Sequence, residues 1–140
     1  MTRCILAGVD GSEQSAKAFK FALELARFSG AQLHACAAVY SAEFEMAEPQ
    51  ELAALKERAE ARMLSALAQI RTMAEAENLP LTAHLLDGHP VEEILTLAGQ
   101  LSADHIVVGH RSKGLFERLL MGSVARRVVD LARCSVTVVR

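Results

Sequence analysis

Short apolar runs alternate five times with longer stretches of helical spacing, the pattern of repeated strand–helix units. Ile5, Leu6, Ala7, Gly8 and Val9 form a run too short for a helix and apolar throughout, as expected of a parallel strand buried on both faces. Ala16, Phe19, Leu23 and Ala26 follow at helical intervals, with Ser12 placed to cap the helix and Gly30 to stop it. Residues 33–39 predict a second strand, and residues 40–48, acidic and without a period, predict a surface loop. From Pro49 a long helix carries Leu52, Leu55, Ala59, Met63, Ala66, Ile70 and Met73 on one stripe until Asn78-Leu79-Pro80 ends it. Met63 and Met73 read as core filler rather than as ligands.

Residues 81–86 predict a third, peripheral strand that stops at Asp87-Gly88. Pro90 then opens a helix with Val91, Ile94, Leu95 and Ala98 inward, and Glu92 and Glu93 near its positive end. Residues 105–108 predict the fourth strand, ending at Gly109. Ser123 is expected to cap a helix that turns Val124, Val128 and Leu131 inward, and residues 135–139 the last strand. Parallel strands need crossover connections, which are right-handed almost without exception. The expectation is therefore one α/β domain over residues 1–140: a three-layer, open, parallel five-stranded sheet with helices on both faces. In such sheets ligands bind at the carboxyl ends of the strands, where the strand order reverses. Three loops gather there: residues 8–12, 87–90 and 109–123.

Composition narrows the class. Hydrophobic residues make up 51% and charged residues 23%, a globular balance. Only Met1, Thr2 and Arg3 precede the first apolar run, which is too short for a signal peptide or a membrane helix. A cytoplasmic protein with no membrane association is expected. Cys4, Cys36 and Cys134 are odd in number, far apart and set in apolar runs, as buried, reduced strand residues would be. From Gly109 onward seven bases face two acids, a local charge of +5 against −7 for residues 1–108. That asymmetry fits a local anion site or a solvated, base-rich helix face, whereas nucleic acid would be repelled by the acidic remainder.

The stretch Val107-Val108-Gly109-His110-Arg111-Ser112-Lys113-Gly114, followed by Leu119-Leu120-Met121-Gly122-Ser123-Val124, resembles the nucleotide loop of universal stress proteins. The family's nucleotide-binding branch carries Gly, two residues, Gly, nine residues, then Gly and Ser or Thr. Gly109, Gly122 and Ser123 fall in register, and Ser112 stands where the second glycine would be. Residues 5–12 are similar to the family's first strand and its terminal aspartate turn, Gly88-His89-Pro90 to a recurrent turn, and residues 134–140 to its closing strand.

The resemblance implies the strand order 3-2-1-4-5 of the adenine nucleotide α-hydrolase-like fold. It implies ATP or another adenine nucleotide as ligand, with or without Mg²⁺ held mainly by the nucleotide's own oxygens. Asp10 would touch the ribose or adenine side, with the backbone of Gly8 and Val9 forming that wall. Ala38 and Val39 would meet adenine; Gly109, His110, Arg111 and Ser112 would run beside the ribose and phosphates. Gly122, Ser123 and Val124 would hold the phosphates. The family also implies a homodimer joined through the final strand, residues 135–140, serving a regulatory or stress-response role.

The residues support a phosphate reading on their own chemistry. Glycine lets backbone amides approach a phosphate, and Gly122-Ser123 opens a helix whose positive end favours an anion. Arg126 and Arg127 in the first turn oppose that dipole by about 0.3–1 kcal/mol each, a penalty that a bound polyphosphate would reverse. An ordinary capped helix after a loop is the competing reading. Ser112 departs from the pattern: if its place demands a left-handed backbone, serine costs about 1–2 kcal/mol there.

His105 and His110 flank the fourth strand on opposite faces, so no shared metal is expected. His34 reads as a satisfied strand histidine, while His89 and His110 fall on the ligand edge. No nucleophile, base and orienting group occur together at motif spacing, so no catalytic residue is assigned and any ATP hydrolysis is expected to be slow. Two functions remain open: a nucleotide-binding regulatory protein, or a nucleotide-free dimeric interaction module of the same family. A small enzyme of the related α-hydrolase group is a third, weaker reading.

Overall fold

Five strands, Cys4–Gly8 (β1), Gln32–Val39 (β2), Thr82–Asp87 (β3), His105–Gly109 (β4) and Ser135–Val139 (β5), form one parallel sheet in the order β3-β2-β1-β4-β5. The computed structural model describes residues 1–110 and 121–140, so Arg111 and Ser112 lie outside the described residues. Between the strands run helices Glu13–Ser29 (α1), Glu43–Met46 (α2), Pro49–Ala76 (α3), Pro90–Gln100 (α4) and Ser123–Leu131 (α5). The expected strand order and three-layer arrangement are those observed.

The central strands explain the layering. Every residue of β1 is buried, because apolar side chains alternate between two helical layers. Ile5, Ala7, Leu33, Ala35 and Val107 face one cluster, completed by Phe19 and Leu23 of α1 and Leu67 and Ile70 of α3. Leu6, Cys36, Ile106 and Val108 face the other, against Val91 and Ile94 of α4 and Ala125 and Val128 of α5. Ser12 caps α1 as expected, its Oγ accepting the Ser15 amide at 3.1 Å, and the Gly30 amide closes the helix on the Ala26 carbonyl at 2.8 Å. Among the described residues no helix is long and apolar enough to cross a membrane.

Four expectations need correction. Residues 40–48 are not loop throughout, since α2 forms there, with the Phe44 amide turned back onto the Ser41 carbonyl at 3.0 Å. Gly122, not Ser123, is the capping residue of α5, and Ser123 is its first helical residue. The inward stripe of α5 is Ala125 and Val128; Val124 is half-buried and Leu131 is 54% exposed. Leu131 falls in the final turn, at the end of so short a helix. Finally, Cys4 and Cys36 are buried in strands, but Cys134 sits just before β5 and is half-buried. Burial pushes the Cys36 thiol up to about 12, and raises Cys4 and Cys134 with added help from the Asp104 charge.

Candidate functional site

Asp10 leaves β1 in a turn that its own neighbours fix. Its Oδ1 accepts the Ser12 amide at 2.9 Å, and its amide donates to Ser15 Oγ at 3.2 Å. Ser15 Oγ in turn donates to the Ser12 carbonyl at 3.0 Å, and Gly11 takes the left-handed φ of 86° that this tight path requires. The carboxylate is exposed at the carboxyl edge of the sheet.

β4 ends beside it. A side chain at Gly109 would meet the backbone of α1, 3.1 Å from the Gln14 carbonyl carbon and oxygen and 3.3 Å from the Ser15 amide nitrogen. The glycine is therefore required by the approach of strand to helix, a reason that the ligand-based reading of the sequence did not include. His110 follows, buried, with its amide on the Val139 carbonyl at 2.7 Å. Its own carbonyl accepts the Gly122 amide at 2.8 Å. That bond ties the end of β4 to the start of α5 and brings the two ends of the 109–123 segment together. The first-turn amides of α5, which lack partners within the helix, thereby open at the sheet's carboxyl edge.

Between these walls lies a cavity of about 520 Å³, within the usual range for a small-molecule site. Of the residues expected in the site, Gly8, Val9, Asp10, Ala38, Gly109, His110, Gly122, Ser123 and Val124 line it. Val39 does not: it is buried, and its carbonyl accepts the Gly88 amide at 3.3 Å. Successive strand side chains alternate, so the Val39 side chain lies on the face of Ala37, opposite that of Ala38. Arg126 and Arg127 are exposed on α5 and are not among the described lining residues, which include the cation of Arg62 on α3.

Among the lining residues that sequence reasoning missed are Arg62, Met63 and Tyr40. Met63, expected only as core, both packs on the α3 cluster and reaches the cavity. Tyr40, the residue after β2, had position as its signal: it sits where a ligand-binding strand end must be.

The remaining histidines hold other posts. His89 caps α4, its Nδ1 accepting the Val91 amide at 3.3 Å. His105 Nε2 bonds Thr137 Oγ1 at 2.7 Å, within the sheet, and His34 Nδ1 meets His84 Nε2 at 3.0 Å. Among the described residues, no three His, Cys, Asp or Glu side chains converge as metal ligands.

The family model described as the universal stress protein family matches residues 1–140. A universal stress protein of Methanocaldococcus jannaschii is 34% identical over 138 residues, covering 97% of this chain and 81% of the relative. The solved universal stress protein UspA from Lactobacillus plantarum superposes with a TM-score of 0.83 at 28% identity, covering 99% of this chain and 98% of that one. A universal stress protein solved in complex with cAMP superposes with a TM-score of 0.76 at 25% identity, covering 99% and 97%. A whole-length family match, together with this strand order and edge cavity, leaves one assignment: the chain belongs to the universal stress protein family.

Proposed function

We propose that this chain binds an adenine nucleotide in the edge cavity and acts as a homodimeric regulatory protein of the stress response. The observation that carries the reading is the 2.8 Å bond from the Gly122 amide to the His110 carbonyl. It sets an anion-favouring helix start and the Asp10 carboxylate in the walls of a single cavity. That order suits a nucleotide, with phosphates at the α5 amides and a ribose hydroxyl donating to Asp10. The relative solved with cAMP supports the same ligand class.

The lining is suited to binding rather than turnover. Asp10 is the only carboxylate among the described lining residues, so those residues offer no carboxylate pair for acid–base work. If Mg²⁺ accompanies the nucleotide, Asp10 is the side chain able to contribute to it, the phosphate oxygens supplying the rest. The dimer would form through β5, an edge strand whose Val136, Thr137, Val138 and Val139 are only half-buried, an open template for pairing. Its free thiols suit the reducing cytoplasm, the compartment proposed for it.

Thermal unfolding with added ATP tests the reading. Ligand at 100 times its dissociation constant adds about 2.7 kcal/mol, a rise of several degrees in Tm. No rise at millimolar ATP, with no nucleotide released from freshly purified protein, would favour a nucleotide-free module.

A further inference from the structure

We infer that Tyr40 is the surface on which the base of the bound nucleotide stacks, an inference that rests on the nucleotide reading above. Tyr40 follows β2 directly and lines the cavity. Its ring is held from two sides. The His89 ring lies 4.8 Å away, centroid to centroid, tilted by 55°, and the Phe44 ring of α2 meets it edge-on at 6.1 Å. His89 is itself fixed, because its Nδ1 accepts the first-turn Val91 amide of α4. An aromatic ring braced in this way loses little freedom when a planar ligand covers it.

The strand order sets what else lies along the edge. β2, β1 and β4 are neighbours, so the strand that leads into Tyr40 runs two strand spacings, about 10 Å, from β4. Asp10, in the turn after β1, lies between them. An aromatic ring, a carboxylate and a set of helix amides thus follow one another in the order of base, ribose and phosphate. Ala38, Met63 and Ile94 supply apolar wall beside the ring. Stacking needs only a π-face, so this end of the cavity selects a nucleotide over a sugar phosphate or a bare polyphosphate.

The chain has one tyrosine and no tryptophan, which makes its intrinsic fluorescence a direct report on Tyr40. ATP, ribose 5-phosphate and tripolyphosphate are titrated in turn, each followed by calorimetry and by tyrosine emission, with N-acetyltyrosinamide correcting for ATP absorbance. Expected are heat and saturable quenching with ATP at one dissociation constant, and tripolyphosphate binding without quenching. Tyr40→Leu should weaken ATP by about 5- to 100-fold while leaving tripolyphosphate within about twofold, and Tyr40→Phe should keep ATP affinity within about threefold. Heat with ATP but no quenching, or unchanged ATP affinity in Tyr40→Leu, overturns the role of Tyr40 and leaves the nucleotide site standing. No heat with ATP in the unaltered protein overturns both.

Discussion

His34 Nδ1 and His84 Nε2 face each other at 3.0 Å across β2 and β3, one imidazole donating to the other. The ring centroids are 5.2 Å apart and the planes within 22°. So short a gap between nitrogens is possible only when both lie close to the line joining the centroids, so the rings meet edge to edge and share one proton. A second proton in that gap would break the hydrogen bond and set an imidazolium against an N–H.

Stability should therefore fall in mild acid. Burial, and then the His84 charge, hold His34 below the usual histidine range, and burial does the same for His84. The unfolded chain takes up protons near pH 6.5, about the ordinary histidine value, before the native pair does. The contribution is thus present above that pH and is lost as pH falls toward the depressed native values. Melting curves between about pH 7.5 and about pH 5 should show a declining Tm, and a His34→Gln/His84→Gln double variant should lose part of that decline. Parallel pH profiles for the two proteins would remove the pair from the account.

Two glycines of the site should respond differently. Gly109→Ala pushes a methyl group into the backbone of Gln14 and Ser15, and should cost about 1–3 kcal/mol of stability in denaturant titration. Gly122 has φ −64° and ψ 159°, a conformation open to any residue, so Gly122→Val should cost only about 1 kcal/mol as a poorer cap. It should nonetheless weaken ATP at least tenfold, about 1.4 kcal/mol, by filling the approach to the α5 amides. Wild-type affinity in Gly122→Val would place the phosphates elsewhere.

Much of the fold was legible in the sequence because the strands are short, mainly apolar runs set between helical stretches. β1 is the clearest case, apolar from Cys4 to Gly8 and buried throughout. The cavity lining was legible where the chain leaves a strand or enters a helix, at Asp10, Gly109 and Gly122. It was not legible where packing decides. Arg62 reaches the cavity only because of how α3 lies across the sheet, which no local pattern encodes. Val39 was placed in the site, with Ala38, by the family resemblance at the end of the second strand, although the strand period turns its side chain the other way. α2 is too short to carry a period of its own.

Asp10→Asn tests the ribose contact. The amide oxygen of Asn can still accept the Ser12 amide, so stability should change by less than about 0.5 kcal/mol. The lost charge should weaken ATP by roughly tenfold, as expected for a hydrogen bond to a charged group. It should weaken an analogue lacking both ribose hydroxyls much less. Equal losses for both ligands would move Asp10 away from the ribose.

Pairing through β5 should appear as concentration-dependent amide protection. Hydrogen exchange at residues 136–139 should slow as the protein is concentrated through the micromolar range, while β1 amides, already central, stay unchanged. A monomer in sedimentation at those concentrations, with β5 exchange independent of dilution, would mean that the edge stays unpaired.

The most direct measurement is a map of backbone amide chemical shifts on adding ATP. The central claim is that the carboxyl ends of β1 and β4 and the first-turn amides of α5 border one nucleotide. Large shifts should then cluster at Gly8 to Ser12, Gly109, His110 and Gly122 to Val124, with Tyr40 at the far end, leaving β3 and the outer turns of α1 unmoved. Shifts confined to other surfaces, or none at saturating ATP, would contradict it.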